Sequence, residues 1–239
     1  MVSTLAIGGA VTGAAWLAYN CYSPTSQLYG RTLTRCPEVN QLALTFDDGP
    51  NDIYTERLLE VLARHQVTAT FFLIGRFVAM RPHVARAIAE AGHLVANHTY
   101  SHPNLLFVSR SRMLTELSDC SKAIADATGV EARFFRPPFG ARRPAVLQTA
   151  RDFGLKPVMW DVTCFDWRRT TADDVERHAR KHIEGDGGRG HIVLMHDGAH
   201  TGMGADRAHT VEATERVIQR YKARYLFRRI DEIQSDRRA

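Results

Sequence analysis

Cysteine is scarce in this chain of 239 residues, and its distribution argues against two kinds of small structural unit. The four cysteines lie far apart, with no C-x-x-C pair and no framework spacing: Cys21, Cys36, Cys120 and Cys164. This pattern argues against a structural zinc site built from paired thiolates and against a fold held together by disulfides. It leaves open whether single cysteines pair, and so the redox compartment also stays open.

Long basic runs are also missing. The chain has 31 Lys and Arg against 26 Asp and Glu, a net charge of +5, but its arginine pairs never extend into a longer run. A nucleic-acid-binding protein usually shows a concentrated basic surface together with a recognisable module, and the sequence has neither. We therefore expect no nucleic-acid partner. The sequence does not indicate an oligomeric state.

Lys and Arg are absent before Arg31, and residues 4–19 form an apolar, small-residue stretch. It is short for a bilayer span, which needs roughly 20 apolar residues, and a secretory signal normally begins with a positive region. We expect residues 4–19 to be a membrane anchor or an uncleaved signal, with a hydrophobic helix docked on the domain as the alternative. The polar stretch that follows is typical of a linker, which predicts a boundary between residues 1–38 and a domain at 39–239.

From residue 41 onward, short apolar segments alternate with helical patterns. The expected strands are QLALTF (41–46), ATFFLI (69–74), HLVAN (93–97), ARFF (132–135), KPVMW (156–160), HIVLM (191–195) and YLFRRI (225–230). Among the helix signals, Pro144 suits a first turn and Thr171 with Asp174 a capping pair. Short apolar strands separated by single helices predict a parallel sheet buried on both faces. Seven such units predict an α/β fold, a closed or nearly closed β/α barrel of seven or eight units, with an open doubly wound sheet as the alternative.

Polar residues cluster at one end of the predicted strands. The clusters, which follow the first, third, fourth, fifth and sixth strands, are DDGP (47–50), HTYSHP (98–103), RPPFG (136–140), DVTCFDW (161–167) and HDG (196–198). In a β/α barrel the loops after the strands share one face, and the chemistry of such barrels lies there. Random turn residues would populate the opposite rim as well, but only His93 is of a reactive type there. The asymmetry predicts a functional site.

Two histidines and two carboxylates in these clusters suit a metal ion. His98 and His102 are four residues apart, so a helical turn would bring both imidazoles to one side. Asp47 and Asp48 are adjacent, and their repulsion is relieved by a proton or a nearby cation. Two histidines with one Asp leave positions open for water and substrate, as a hydrolytic metal site requires. A simple surface turn is the alternative for the two aspartates.

Five segments carry a resemblance to a known family. In this order, TFDDGP, HTYSHP, RPPFG, DVTCFDW and IVLMHDG closely resemble the signature motifs of polysaccharide deacetylases, the NodB homology domain of carbohydrate esterase family 4. The resemblance covers roughly residues 40 to 230. It implies a NodB-like distorted β/α barrel and one divalent metal ion, commonly zinc or cobalt. It also implies hydrolysis of an N-acetyl, or sometimes an O-acetyl, group on a sugar polymer.

The resemblance implies a metal centre and a base. Asp48, His98 and His102 are the metal ligands that it implies. Asp47 is the general base that takes a proton from the attacking water. Arg136 holds Asp47 through a charge-assisted hydrogen bond.

The remaining implied roles concern the leaving group and the substrate. His196 is the general acid, because an amine leaves poorly unless it is protonated, and Asp166 orients it. The Phe139 amide stabilises the oxyanion; the family motif more often ends in Tyr here, which a backbone role tolerates. Trp167 and Leu194 line the groove for the sugar and the acetyl methyl, with packing in the core as a competing interpretation for both.

Three functional interpretations follow. The first is an N-deacetylase of N-acetylglucosamine-containing polymers in the cell envelope, membrane-anchored or secreted, with peptidoglycan favoured over chitin oligomers. The second is an O-acetyl polysaccharide esterase, or a deacetylase of a soluble or lipid-linked sugar; a cytoplasmic location is the alternative to the envelope. The third is a catalytically silent sugar-binding module, which is disfavoured because the full constellation is present. His200 and His209, after the last motif, are not expected to be essential.

Overall fold

All seven apolar segments contain strands of one sheet in the computed structural model, and an eighth strand lies in the fourth motif. The structure describes Gly13, residues 15–168 and residues 170–235. The strands are β1 (Gln41–Gly49), β2 (Thr70–Leu73), β3 (Leu94–Asn97), β4 (Phe134–Phe135), β5 (Lys156–Pro157), β6 (Val162–Thr163), β7 (His191–His196) and β8 (Leu226–Phe227). Every pairing in this sheet is parallel, so the predicted parallel sheet is confirmed.

Helices lie in most of the connections between the strands, and one follows the last strand. They are α1 (Tyr54–His65), α2 (Gly75–Met80), α3 (Pro82–Glu90), α4 (Arg110–Thr128), α5 (Pro144–Asp152), α6 (Ala172–Gly185), α7 (Ala208–Tyr221) and α8 (Glu232–Ser235). The predicted start signals are confirmed: Pro144 begins α5, and Thr171 with Asp174 forms a capping box at α6. The sequence pattern did not predict the short helices α2 and α8.

The strand order is β5-β4-β3-β2-β1-β7-β6, with β8 paired to the first residues of β1. Within the part of the chain that the structure describes, no ladder joins β5 to β6, so the barrel has a seam there. The NodB-like distorted barrel is thereby confirmed, and the open doubly wound sheet is not what forms. Apolar side chains cover both faces of the sheet, as expected for parallel strands inside a layer of helices.

Residues that precede the predicted domain boundary fill this seam. Leu33 forms a parallel bridge with Val158: its amide donates to the Pro157 carbonyl (3.2 Å), and its carbonyl accepts from the Met159 amide (2.7 Å). Next to it, the Cys36 thiol donates to the His191 carbonyl across the seam (3.0 Å). Residues 33 to 36 therefore lie between β5 and β7 in the seam, where β5 and β6 do not pair. The boundary at 38/39 stays a prediction.

The chain before the seam is docked beside the strand ends. Residues 15–22 are helical, and the backbone carbonyl of Cys21 accepts from the Arg142 amide (2.9 Å). The buried guanidinium of Arg142 also donates to the carbonyls of Ser23 and Ser26. None of the helices described is long and apolar enough to cross a membrane. Much of the predicted anchor at 4–19 lies outside the described residues.

Removing the seam residues tests the boundary. We expect a chain that begins at residue 39 to melt at least about 5 °C below one that begins at residue 30, because it loses the two bridge hydrogen bonds and the cover of the seam. Thermal unfolding followed by circular dichroism measures the difference. Equal melting temperatures would show that residues 30–38 are a linker without a structural role.

Candidate active site

The period-two geometry of the strands brings four predicted side chains to one rim. Successive residues of a strand face opposite sides of the sheet, so a residue two positions beyond an inward-facing one also faces inward. These inward pairs are Thr45 and Asp47 on β1, Ala96 on β3 with His98 just after it, Phe134 on β4 with Arg136 just after it, and Leu194 and His196 on β7. Asp47 and His196 are direct partners in the β1–β7 ladder. The clusters that follow the strands therefore converge, as predicted.

Asp48 and two imidazoles form the centre of this rim. Asp48 Oδ1 lies 3.1 Å from His102 Nε2 and 3.5 Å from His98 Nε2, and all three residues are buried. His98 Nδ1 lies 2.8 Å from the Arg136 carbonyl oxygen. Because a carbonyl only accepts, Nδ1 carries a hydrogen, and Nε2 is the ring nitrogen that faces Asp48.

This donor set fits a divalent cation. Asp48 Oδ1 is buried and has no hydrogen-bond partner among the described residues, although two imidazole nitrogens face it. Burial alone would raise the pKa of Asp48, but His102, His200 and His98 together hold it well below its usual range. Burial lowers the pKa of His102, so the imidazole is neutral near pH 7. A buried carboxylate oxygen and two imidazole nitrogens that converge in this way are donors that a metal ion can satisfy.

The local conformation predicted for residues 98–102 is wrong. These residues form a bend, not a helical turn, and both Thr99 (φ 66°) and His102 (φ 61°) adopt the left-handed region. The Thr99 hydroxyl accepts from the His102 amide (3.1 Å), and the buried Glu116 accepts from both the amide and the hydroxyl of Ser101 (2.7 Å each). Side chains, instead of helical hydrogen bonds, bring the two imidazoles together.

Asp47 is held by a fully buried arginine. Arg136 Nη1 donates to Asp47 Oδ1 (2.7 Å) and to the Thr45 hydroxyl (2.8 Å), and its guanidinium lies 4.0 Å from the centre of the Phe72 ring. Asp47 Oδ2 is left facing the cluster of Asp48, His98 and His102, 3.8 Å from His98 Nε2. The predicted contact between Arg136 and Asp47 is present.

His196 and Asp166 form the second pair on the rim. His196 Nδ1 lies 2.9 Å from Asp166 Oδ1, while the His196 amide and the Thr210 hydroxyl donate to Asp166 Oδ2. Burial lowers the pKa of His196, but the Asp166 carboxylate outweighs it, and the result is a pKa raised to about 9. The imidazole therefore carries a proton at neutral pH and has Nε2 available to donate.

The three predicted substrate-contacting residues lie in different surroundings. Trp167 is 43% exposed and packs its edge on His196, with ring centres 5.1 Å apart. Phe139 takes φ 59°, is 48% exposed and packs edge-on against His102. Leu194 is 2% exposed and lies in the barrel interior. Their roles toward the substrate stay predictions.

Sequence reasoning did not include Asp197 in the site. Its carboxyl is buried behind the end of β1, and burial raises its pKa to about 7. Thr55 donates to it (2.5 Å), and a side chain at Gly49 would overlap it. Similarly, a side chain at Gly198 would overlap the Asp48 carbonyl. The glycines of DDGP and HDG therefore allow the ends of β1 and β7 to approach each other. These two glycines in the sequence could have indicated that Asp197 lies close to Asp48.

The rim of this parallel β/α barrel carries a carboxylate–imidazole cluster, a second carboxylate and a His–Asp pair. Barrels with such a rim form a class of protein suited to hydrolysis. Residues 34–158 match the family model described as polysaccharide deacetylase. The chain belongs to this family, and the resemblance noted in the sequence is confirmed.

Curated relatives and solved structures also indicate the polysaccharide deacetylase family. The chain is 32% identical to a peptidoglycan-N-acetylglucosamine deacetylase of Bacillus cereus over 77% of this chain and 64% of that protein. It is 38% identical to a chitooligosaccharide deacetylase of Sinorhizobium fredii over 65% of this chain and 71% of that one. Among solved structures it is similar to a carbohydrate esterase family 4 pseudoenzyme of Bacillus anthracis (TM-score 0.75, 32% identity, 85% of this chain and 68% of that one). This chain thus spans less than two thirds of the length of the Bacillus cereus relative.

The Asp166→Asn variant tests the cause of the raised His196 pKa. Removing the carboxylate charge lowers this pKa, so we expect the alkaline limb of kcat/KM for deacetylation to move down by at least about one pH unit. The profile is measured between pH 6 and 10, with Asp173→Asn on the exposed surface of α6 as the control. An alkaline limb unchanged in Asp166→Asn would show that another group sets it.

Proposed function

We propose that the protein is a metal-dependent hydrolase that removes N-acetyl groups from N-acetylglucosamine-containing polysaccharide. The observation that supports this most directly is the orphaned Asp48 Oδ1, which faces two imidazole nitrogens beside an arginine-held Asp47 and a His–Asp pair. Carboxylate and imidazole donors suit zinc and cobalt. Asp48, His98 and His102 would hold the ion.

A bound divalent ion would polarise the acetyl carbonyl and make the attacking water more acidic. Asp47 would accept the proton of this water through Oδ2, because Arg136 occupies Oδ1. Arg136 fixes the direction of the carboxylate and offsets its negative charge inside the barrel. Asp48 would bind the ion and take no part in proton transfer.

Departure of the amine requires an acid. His196, protonated near neutral pH, would donate from Nε2 to the leaving nitrogen, while Asp166 holds Nδ1. The Phe139 amide would donate to the oxyanion of the tetrahedral intermediate. The exposed Trp167 ring beside His196 offers a flat apolar surface on which a sugar ring can stack. Leu194, below His196 in the barrel, would contact the acetyl methyl.

Peptidoglycan is the favoured substrate and chitin oligosaccharides come next, since the curated relatives are named as deacetylases of these two. An O-acetyl polysaccharide esterase and a deacetylase of a soluble or lipid-linked sugar are the alternatives. The likeness to a pseudoenzyme keeps a non-catalytic sugar-binding role as the last alternative. The presence of both aspartates, both cluster histidines and the His196–Asp166 pair favours catalysis over binding alone.

Acetate release tests this proposal. We expect metal-stripped full-length protein to be inactive and added zinc or cobalt to restore release from N-acetylglucosamine oligomers or peptidoglycan. In Asp47→Asn, which loses the base but keeps the metal ligands, the restored rate should fall by at least about a hundredfold.

An O-acetylated xylan in the same assay separates the alternatives. Faster release from xylan than from the N-acetylated polymers would favour the esterase. Absence of release from every substrate, with metal shown to be bound, would contradict a polysaccharide deacetylase activity.

We further propose a location in the cell envelope, with membrane association through residues 4–19. In the described part of this segment, Trp16, Leu17 and Tyr19 are exposed on a helix that Arg142 docks beside the active-site rim. Exposed Trp and Tyr next to apolar sequence are typical of a membrane interface.

Vesicle flotation tests the membrane proposal. We expect the full chain to float with phosphatidylcholine–phosphatidylglycerol vesicles and a chain that begins at residue 20 to stay in the soluble fraction, because it lacks the apolar residues. Acetate release from soluble oligomers by the shorter chain serves as the control for folding. Equal flotation of both chains would contradict a role of residues 4–19 in membrane association.

A further inference from the structure

A third histidine, His200, approaches Asp48, His98 and His102 from the loop after β7. His200 Nδ1 lies 3.7 Å from Asp48 Oδ2, and the His200 backbone amide donates to the same oxygen (3.3 Å). Asp48 therefore has imidazoles on both of its oxygens, because His98 and His102 face Oδ1. The spacing of residues in the sequence gave no indication of this, and His200 was expected to be dispensable.

The ring of His200 is positioned by contacts on both sides. It stacks on the His102 ring, with centres 4.6 Å apart and planes 17° from parallel, and is nearly perpendicular to the Phe139 ring, with centres 5.2 Å apart. Phe139 packs on His102 in the same way. One donor atom each from Asp48, His102 and His200 lie within 4.8 Å of one another, close enough for the three residues to share one ion.

The backbone that carries His200 is fixed as well. The Arg76 guanidinium donates to the His200 carbonyl. Further along the loop, Asn51 donates to the Ala205 carbonyl (2.9 Å) and accepts from the Gly204 amide (2.7 Å). The loop is thus anchored both at His200 and further along the chain. These contacts hold the imidazole beside Asp48, although the His200 side chain is 41% exposed.

We propose that His200 is a further ligand of the divalent ion, in addition to Asp48, His98 and His102. The inference rests on the proposed metal dependence and adds a residue that the five motifs do not contain. Three imidazoles and one carboxylate provide four protein donors, and a zinc site can expand to five-coordinate when water or substrate enters. The consequence is a metal bound more tightly than by the three motif ligands alone.

Zinc affinity, measured by competition with a chromophoric chelator, tests this directly. We expect His200→Ala and His200→Gln each to weaken zinc binding by at least about tenfold. The matched control is His182→Ala, which removes an exposed imidazole on α6 and should leave affinity unchanged. X-ray absorption of the zinc-loaded wild type provides a measurement that needs no variant: three imidazoles are expected at the metal, and two would overturn the inference.

The outcomes separate this inference from the proposed function. Unchanged zinc affinity in both His200 variants would overturn the inference alone, and a raised KM for oligosaccharide in those variants would then assign His200 to substrate contact. Absence of zinc and cobalt binding by the wild type would overturn both the inference and the metal dependence. Weaker binding in the His200 variants but not in His182→Ala would establish the ligand.

Discussion

The buried ion pair between Arg136 and Asp47 is the interaction on which the site depends. Arg136 is fully buried and lies against the rings of Phe72 and Trp160, so its charge is offset mainly by Asp47. Removing one partner of such a pair typically costs about 3–5 kcal/mol, because the other charge stays buried and uncompensated. The pair thereby fixes Asp47, the proposed base, and the Arg136 carbonyl orients His98 through Nδ1. A single residue just after β4 therefore contacts both Asp47 and His98.

Backbone strain accumulates where the strands end. Asp48, Thr99, His102, Phe139 and Phe165 all take positive φ without being glycine. Each such conformation costs on the order of 1–3 kcal/mol and persists only where the surrounding structure determines it. Here the barrel and its side-chain anchors provide that support. The strain lies at the rim and includes residues of the candidate site such as Asp48 and His102.

Much of the fold and part of the site could be predicted, for physical reasons that differ between residues. Apolar strands and helix caps such as Thr171 are encoded locally, and parallel strands necessarily bring Asp47 and His196 to one rim. The bend at 98–102 could not be predicted, because distant side chains such as Glu116 impose it. Strand β6 lies inside the polar segment DVTCFDW, so no apolar run marks it. His200 reaches the cluster through a loop whose path depends on tertiary contacts with Asn51 and Arg76.

Anomalous diffraction from a zinc-loaded crystal at the zinc absorption edge shows whether Asp48, His98 and His102 hold the ion. We expect one strong peak at about 2.0–2.2 Å from Asp48 Oδ1, His98 Nε2 and His102 Nε2. A second group of suitable donors, Asp161, Asp186 and His191, lies at the opposite end of β7, but Arg35 already pairs with both of its carboxylates. A peak there with none at Asp48, or no protein-bound peak at all, would contradict the account.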